Sequence, residues 1–188
     1  MHLHLLDGPV AGLVLGHGAG GGVTAPDLVA ATGAALACGI AVALVEQPYR
    51  VAGRRSPAPA RQLDAAWTAV LGQLREDALQ GLPVIAGGRS SGARVACRTA
   101  ADVGAAAVLC LAFPLHPPGR GDDPTKSRIG ELDAVEVPTL VVQGEKDPFG
   151  MPPSGPDRTV TVVPGDHALR STAAVAAAVA EWLAARWT

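Results

Sequence analysis

Six short, nearly continuous apolar runs, separated by alanine-rich amphipathic segments, leave this chain few ways to fold. The runs are Val10–Leu15, Ile40–Val45, Pro83–Ala86, Ala106–Leu111, Thr139–Val142 and Thr159–Val163. A strand with one wet face alternates apolar and polar residues, whereas a continuously apolar run is covered on both faces, as parallel strands under helices are. Met1–Leu5 alternates and reads as an edge strand. Between the runs, Leu63, Ala66, Trp67, Val70, Leu71 and Leu74 recur on one face of a helix that ends near Gly81. Val175, Ala178, Val179, Trp182 and Leu183 form a second such stripe, and Asp27–Cys38 and Ser91–Val103 are shorter, Ala-rich helical segments. This alternation predicts an α/β fold: one three-layer domain over residues 1–188, with a minimal, mostly parallel sheet and helices on both faces.

Composition narrows the functional classes. With 48% hydrophobic and 17% charged residues the chain is not disordered, and a net charge of −2 provides no basic field for nucleic acid. The N-terminal stretch MHLHLLDGPVAGLVLGHG has no basic residue before its apolar part and is broken by Gly, Asp and Pro, so it fails as a signal peptide and as a membrane span. A cytoplasmic protein without a membrane partner is expected. The preference for Arg over Lys, with abundant Ala and Gly, suggests a GC-rich bacterial genome. Cys38, Cys97 and Cys110 lie in apolar stretches without a CxxC pair and read as core residues. The five His are scattered, so neither a metal nor another cofactor is expected.

In parallel sheets ligands bind beyond the carboxyl ends of the strands. After Pro83–Ala86 comes Gly87-Gly88-Arg89-Ser90-Ser91-Gly92-Ala93, then a helix. Gly88-x-Ser90-x-Gly92 is the nucleophile-elbow pattern G-x-S-x-G in its strand–turn–helix setting. Such a turn projects a strained serine from the sheet edge, and its flanking residues come too close to their neighbours to carry a Cβ. A serine hydroxyl needs a base to take its proton, and the base needs a carboxylate to orient it. Strand Thr139–Val142 runs into Gln143-Gly144-Glu145-Lys146-Asp147, and strand Thr159–Val163 into Pro164-Gly165-Asp166-His167. The order Ser90, Asp147, His167 is that of an α/β-hydrolase. Glu145 and Asp166 are rival acids; Asp147 is preferred because the turn Gly144–Lys146 presents it.

The first buried run ends in Gly16-His17-Gly18-Ala19-Gly20-Gly21-Gly22. A tetrahedral intermediate needs preorganised N–H donors, and the backbones of Ala19 and Ser91 are the candidates. His17 reads as fixing this loop and stands with Arg54, Arg55 and His116 among the candidate substrate contacts. The same stretch matches the dinucleotide pattern G-x-G-x-x-G at Gly16, Gly18 and Gly21, with Glu46 as a ribose ligand, which makes an oxidoreductase the competing enzyme reading. Pro26 delays the following helix, which disfavours it. The connector from Phe113 to about Val137 is too short for a cap domain, predicting an open site.

Together these loops resemble the α/β-hydrolase superfamily. More narrowly, His17-Gly18-Ala19-Gly20, Pro48-Tyr49, Ala52-Gly53-Arg54-Arg55, Gly88-Arg89-Ser90-Ser91-Gly92, Pro114-Leu115-His116-Pro117-Pro118-Gly119 and Gln143-Gly144-Glu145-Lys146-Asp147-Pro148-Phe149-Gly150 are similar to a small dienelactone-hydrolase-related branch. That branch includes bacterial, testis-expressed and chromatin-complex members. The resemblance implies a minimal sheet and the triad Ser90, Asp147 and His167; a small-molecule acyl substrate is the expected partner of that chemistry. Dienelactone hydrolases proper use a Cys where this chain has Ser90, so their substrate is not carried over. The expected function is cleavage of an ester or related acyl bond; a non-catalytic scaffold of the same fold is the alternative from another class.

Overall fold

The computed structural model describes residues 1–187. Seven strands form one sheet: β1 (His2–His4), β2 (Ala11–Gly16), β3 (Ile40–Val45), β4 (Val84–Arg89), β5 (Ala107–Leu111), β6 (Thr139–Gly144) and β7 (Arg158–Val163). Their spatial order is β1-β3-β2-β4-β5-β6-β7, parallel throughout except for the antiparallel edge strand β1. The helices are α1 (Pro26–Ala37), α2 (Pro48–Val51), α3 (Ala60–Glu76), α4 (Ser91–Thr99), α5 (Ile129–Asp133) and α6 (Thr172–Trp187). This is the three-layer α/β architecture expected from the strand–helix alternation, with the minimal, mostly parallel sheet that the α/β-hydrolase resemblance implies.

Each buried strand divides its side chains by alternation. On β3, Ile40, Val42 and Leu44 face the layer containing α1 and α6, and Ala41, Ala43 and Val45 face that of α3 and α4. Burying both sets at 7% exposure or less forces the continuous hydrophobicity of the run. The run at Thr159–Val163 differs. It forms the outer strand β7, where Val163 is buried in the layer of α6 but Val162, on the opposite face, is 53% exposed. Cys97 and Cys110 are buried free thiols and Cys38 is half-buried.

Two strands run further than their apolar content announces. β4 continues through Gly87, Gly88 and Arg89, and β6 through Gln143 and Gly144, carrying the backbone up to the site. The connector between β5 and β6 holds only the 3-10 turn Pro124–Lys126 and the short α5, with no separate cap domain. Among the described residues no helix is long and apolar enough to cross a membrane.

Candidate active site

Ser90 sits between β4 and α4 with φ +51°, ψ −110°, a region where a side chain is strained. The strain is held by packing. A Cβ on Gly88 would stand 2.6 Å from the Gly16 carbonyl, and one on Gly92 would overlap the same peptide. The Ser90 amide donates to the Leu111 carbonyl at 2.9 Å, tying the turn to the end of β5. Strand pairing thus supplies the walls against which the elbow is bent.

The serine meets the other two expected residues. His167 Nε2 lies 2.9 Å from Ser90 Oγ, and His167 Nδ1 lies 2.8 Å from Asp147 Oδ2. With Nδ1–H donating to the carboxylate, Nε2 is the acceptor for the serine hydroxyl. The Asp147 side chain is fully buried and receives two further bonds, from Gln143 Nε2 at 2.9 Å and from the Phe149 amide at 2.9 Å. The Phe149 ring lies over the His167 imidazole, centroids 4.1 Å apart. The rival acids are occupied elsewhere: Asp166 accepts from the Ala168 amide in its own turn, and Glu145 faces Lys146 in solvent.

The glycine-rich loop after β2 is fixed by two side chains. His17 is buried, accepts the Gln47 amide at Nε2 (2.9 Å) and therefore carries its proton on Nδ1, which donates to the Gly18 carbonyl at 2.8 Å. Burial lowers its pKa and keeps this neutral tautomer. The Gly18 carbonyl and the Ala19 N–H belong to one planar trans peptide and point in opposite directions. Pinning the carbonyl on His17 therefore aims the Ala19 N–H the other way. Tyr49 Oη holds the next peptide by donating to the Ala19 carbonyl at 3.0 Å. The Ser91 N–H belongs to the first turn of α4, where helix geometry gives it no carbonyl. Ala19, Ser90 and Ser91 line one cavity of about 340 Å³.

The other candidates fall outside that cavity. Both ring nitrogens of His17 are engaged by backbone. His116 Nδ1 bonds the Pro117 carbonyl, and its ring lies against Gly150 and Gly121. Arg54 and Arg55 are exposed and line a neighbouring cavity, separated by Pro57 and Ala58, which border both. Gly16, Gly18 and Gly21 do not open a helix, since α1 starts only at Pro26.

Sequence reasoning missed an ion pair beneath the site. Arg89, the unspecified residue between Gly88 and Ser90, donates from Nε to Asp27 Oδ2 at 2.8 Å and from Nη2 to the His167 carbonyl at 2.9 Å. Asp27 is fully buried at the start of α1; burial raises its pKa, and the Arg89 cation works against that. In sequence Asp27 looks like an ordinary acid in a helix's first turn. Gln143 was also missed: its Nε2 lies within reach of the Phe113 carbonyl (3.0 Å), the Gly150 carbonyl (2.8 Å) and Asp147. A buried polar residue closing an apolar strand is the signal that marks it.

A family model described as an alpha/beta hydrolase domain matches residues 9–176. The chain belongs to this family. No curated protein sequence matches it. Among solved structures the family member resembles Est1E from Butyrivibrio proteoclasticus, in a complex with ferulic acid, at 17% identity and TM-score 0.73, covering 97% of this chain and 92% of that one. It also resembles dienelactone hydrolase from Anabaena variabilis (19% identity, TM-score 0.72, covering 98% and 88%). XC6422 from Xanthomonas campestris, described as an a/b serine hydrolase without lid, is similar at 20% identity and TM-score 0.69, covering 96% and 87%. At these identities the likeness is one of fold.

Proposed function

We propose that the chain is a serine hydrolase that cleaves an ester or related acyl bond through Ser90, His167 and Asp147. The observation that carries the proposal is the unbroken relay from Ser90 Oγ to His167 Nε2 (2.9 Å) and from Nδ1 to the buried Asp147 carboxylate (2.8 Å). Ser90 Oγ attacks the acyl carbon while its proton passes to His167 Nε2, and Asp147 balances the imidazolium. The Ala19 and Ser91 amides receive the charge that develops on the carbonyl oxygen. Collapse of the intermediate expels the alcohol, which takes the proton from Nε2. A water then attacks the acyl-enzyme, with His167 accepting its proton and returning it to Ser90.

The fold of Est1E, whose structure was solved with ferulic acid, and of the lidless serine hydrolase supports the reading without naming a substrate. The test is labelling with a fluorophosphonate probe, beside turnover of 4-nitrophenyl esters. The wild type is expected to label at one site, and Ser90→Ala to lose the label together with at least ~10³-fold in kcat. Folded wild type that neither labels nor turns over an ester overturns the proposal and leaves the scaffold alternative.

A further inference from the structure

The cavity at Ser90 contains more cation than its carboxylates neutralise. Three arginines line it, Arg94 and Arg98 from α4 and Arg128 from the residue preceding α5. Arg94 is gripped by both oxygens of Glu131, at 2.8 Å and 2.5 Å. Arg98 is gripped by both oxygens of Asp64, at 3.0 Å and 2.6 Å, and reaches Glu131 at 3.3 Å. Glu131 and Asp64 are thereby fully engaged. Among the described residues Arg128 has no carboxylate within ion-pairing distance; its side-chain bond is from Nη1 to the Pro114 carbonyl at 2.9 Å.

That one neutral bond orients the guanidinium and leaves its other N–H groups unspent. Partial burial and the neighbouring Arg94 cation pull the Arg128 pKa down, and Glu131 acts the other way. An anion entering the cavity would pair directly with the guanidinium, which Glu131, already holding Arg94 and Arg98, does not do. The remaining wall is apolar, formed by Leu63, Pro57, Ala58, Pro114 and Phe149. A small apolar segment flanked by a scissile carbonyl at Ser90 and an anion at Arg128 matches that sequence of surfaces.

Resting on the serine-hydrolase reading for its chemistry, we infer that the site selects esters or thioesters bearing a carboxylate, with Arg128 as the residue that binds it. This cation is distinct from Arg54 and Arg55, which lie beyond Pro57 and Ala58. A guanidinium suits a carboxylate because its parallel N–H groups match the two oxygens.

The experiment compares 4-nitrophenyl half-esters of succinate, glutarate and adipate with the same compounds capped as methyl esters, each corrected for its own uncatalysed rate, so that the chain between the two carbonyls is constant and the charge is removed. For at least one chain length the wild type is expected to favour the free acid by roughly 10- to 100-fold in kcat/KM, as a charged hydrogen bond gives. The preference should shrink with added salt and fall toward unity in Arg128→Met, with Arg128→Gln as a second variant if the first does not fold. No preference at any length, or one that both folded variants retain, overturns the inference. Binding of the monomethyl and dimethyl esters of succinate, glutarate and adipate to Ser90→Ala, followed by ligand-observed NMR, separates this from the hydrolase reading. Arg128-dependent binding of the acid alone at any length supports the subsite even if no ester turns over. Equal binding of acid and diester, or of neither, at every length overturns it.

Discussion

The loops after β4 and β7 deliver the two ends of one hydrogen bond, and they are held by opposite means. The β4 loop is shaped by contact. Gly88 and Gly92 press on the Gly16 peptide, and the Ser90 amide is tied to the adjacent strand, so steric exclusion leaves the serine one position. The β7 loop lies at the sheet's outer edge, with no further strand beyond it. It is held by ties: Arg89 reaches from the elbow to the His167 carbonyl, and the Lys146 amide donates to the Gly165 carbonyl at 2.9 Å. Close packing defines a position cheaply where neighbours exist on both sides. At an edge, directed polar bonds must substitute for it, and Arg89 couples the two loops directly.

This contrast can be broken from either side. Gly92→Ala drives a Cβ into backbone that cannot yield, and is expected to cost about 3 kcal/mol or more, read by chemical denaturation. Arg89→Met leaves the buried Asp27 carboxylate unpaired, with an expected loss of about 3 kcal/mol. Adding Asp27→Leu removes the orphaned charge and should recover most of that stability. The rate should nonetheless stay about 10- to 100-fold low in the double variant, because the His167 carbonyl has lost its anchor. Recovery of rate along with stability would show that the tie does not position His167.

Smaller effects sharpen the picture. Gln143→Leu removes the donor shared by Asp147 and two carbonyls and should cost about 1–3 kcal/mol in denaturation. His17 provides a sign test. Its folded pKa lies below the ordinary 6.5, so as pH falls through 6.5 the unfolded chain takes up the proton first. Its contribution is therefore present above about pH 6.5 and is lost as pH falls through the folded value. His17→Gln should lack that part of the acid-side decline in a pH series of denaturation midpoints. Arg54→Ala with Arg55→Ala, both exposed, should change stability by less than about 0.5 kcal/mol and leave ester turnover nearly unaltered.

Much of this molecule is legible in its sequence. Burial on both sheet faces dictates continuous apolar runs, and an elbow bent against a neighbouring peptide dictates glycine at 88 and 92. Both are demands that a local stretch of chain must meet by itself, so residue type records them. For the same reason Ser90, Asp147 and His167 stand out by their places in the loops after β4, β6 and β7. The apolar run of β7 predicts cover on both faces, but Val162 is exposed, because a run does not reveal whether the helix layer on each face reaches the outer strand. The pairing of Arg89 with Asp27 spans 62 residues, and that of Arg98 with Asp64 spans 34. Neither partner carries a local mark, since an arginine in a loop or an acid in a first turn is common on any surface. Which cations find carboxylates, and that Arg128 finds none, depends on how α1, α4 and α5 come to rest around the sheet. Charge pairing acts through space between distant segments, so tertiary structure alone decided the character of the cavity that the sequence had located.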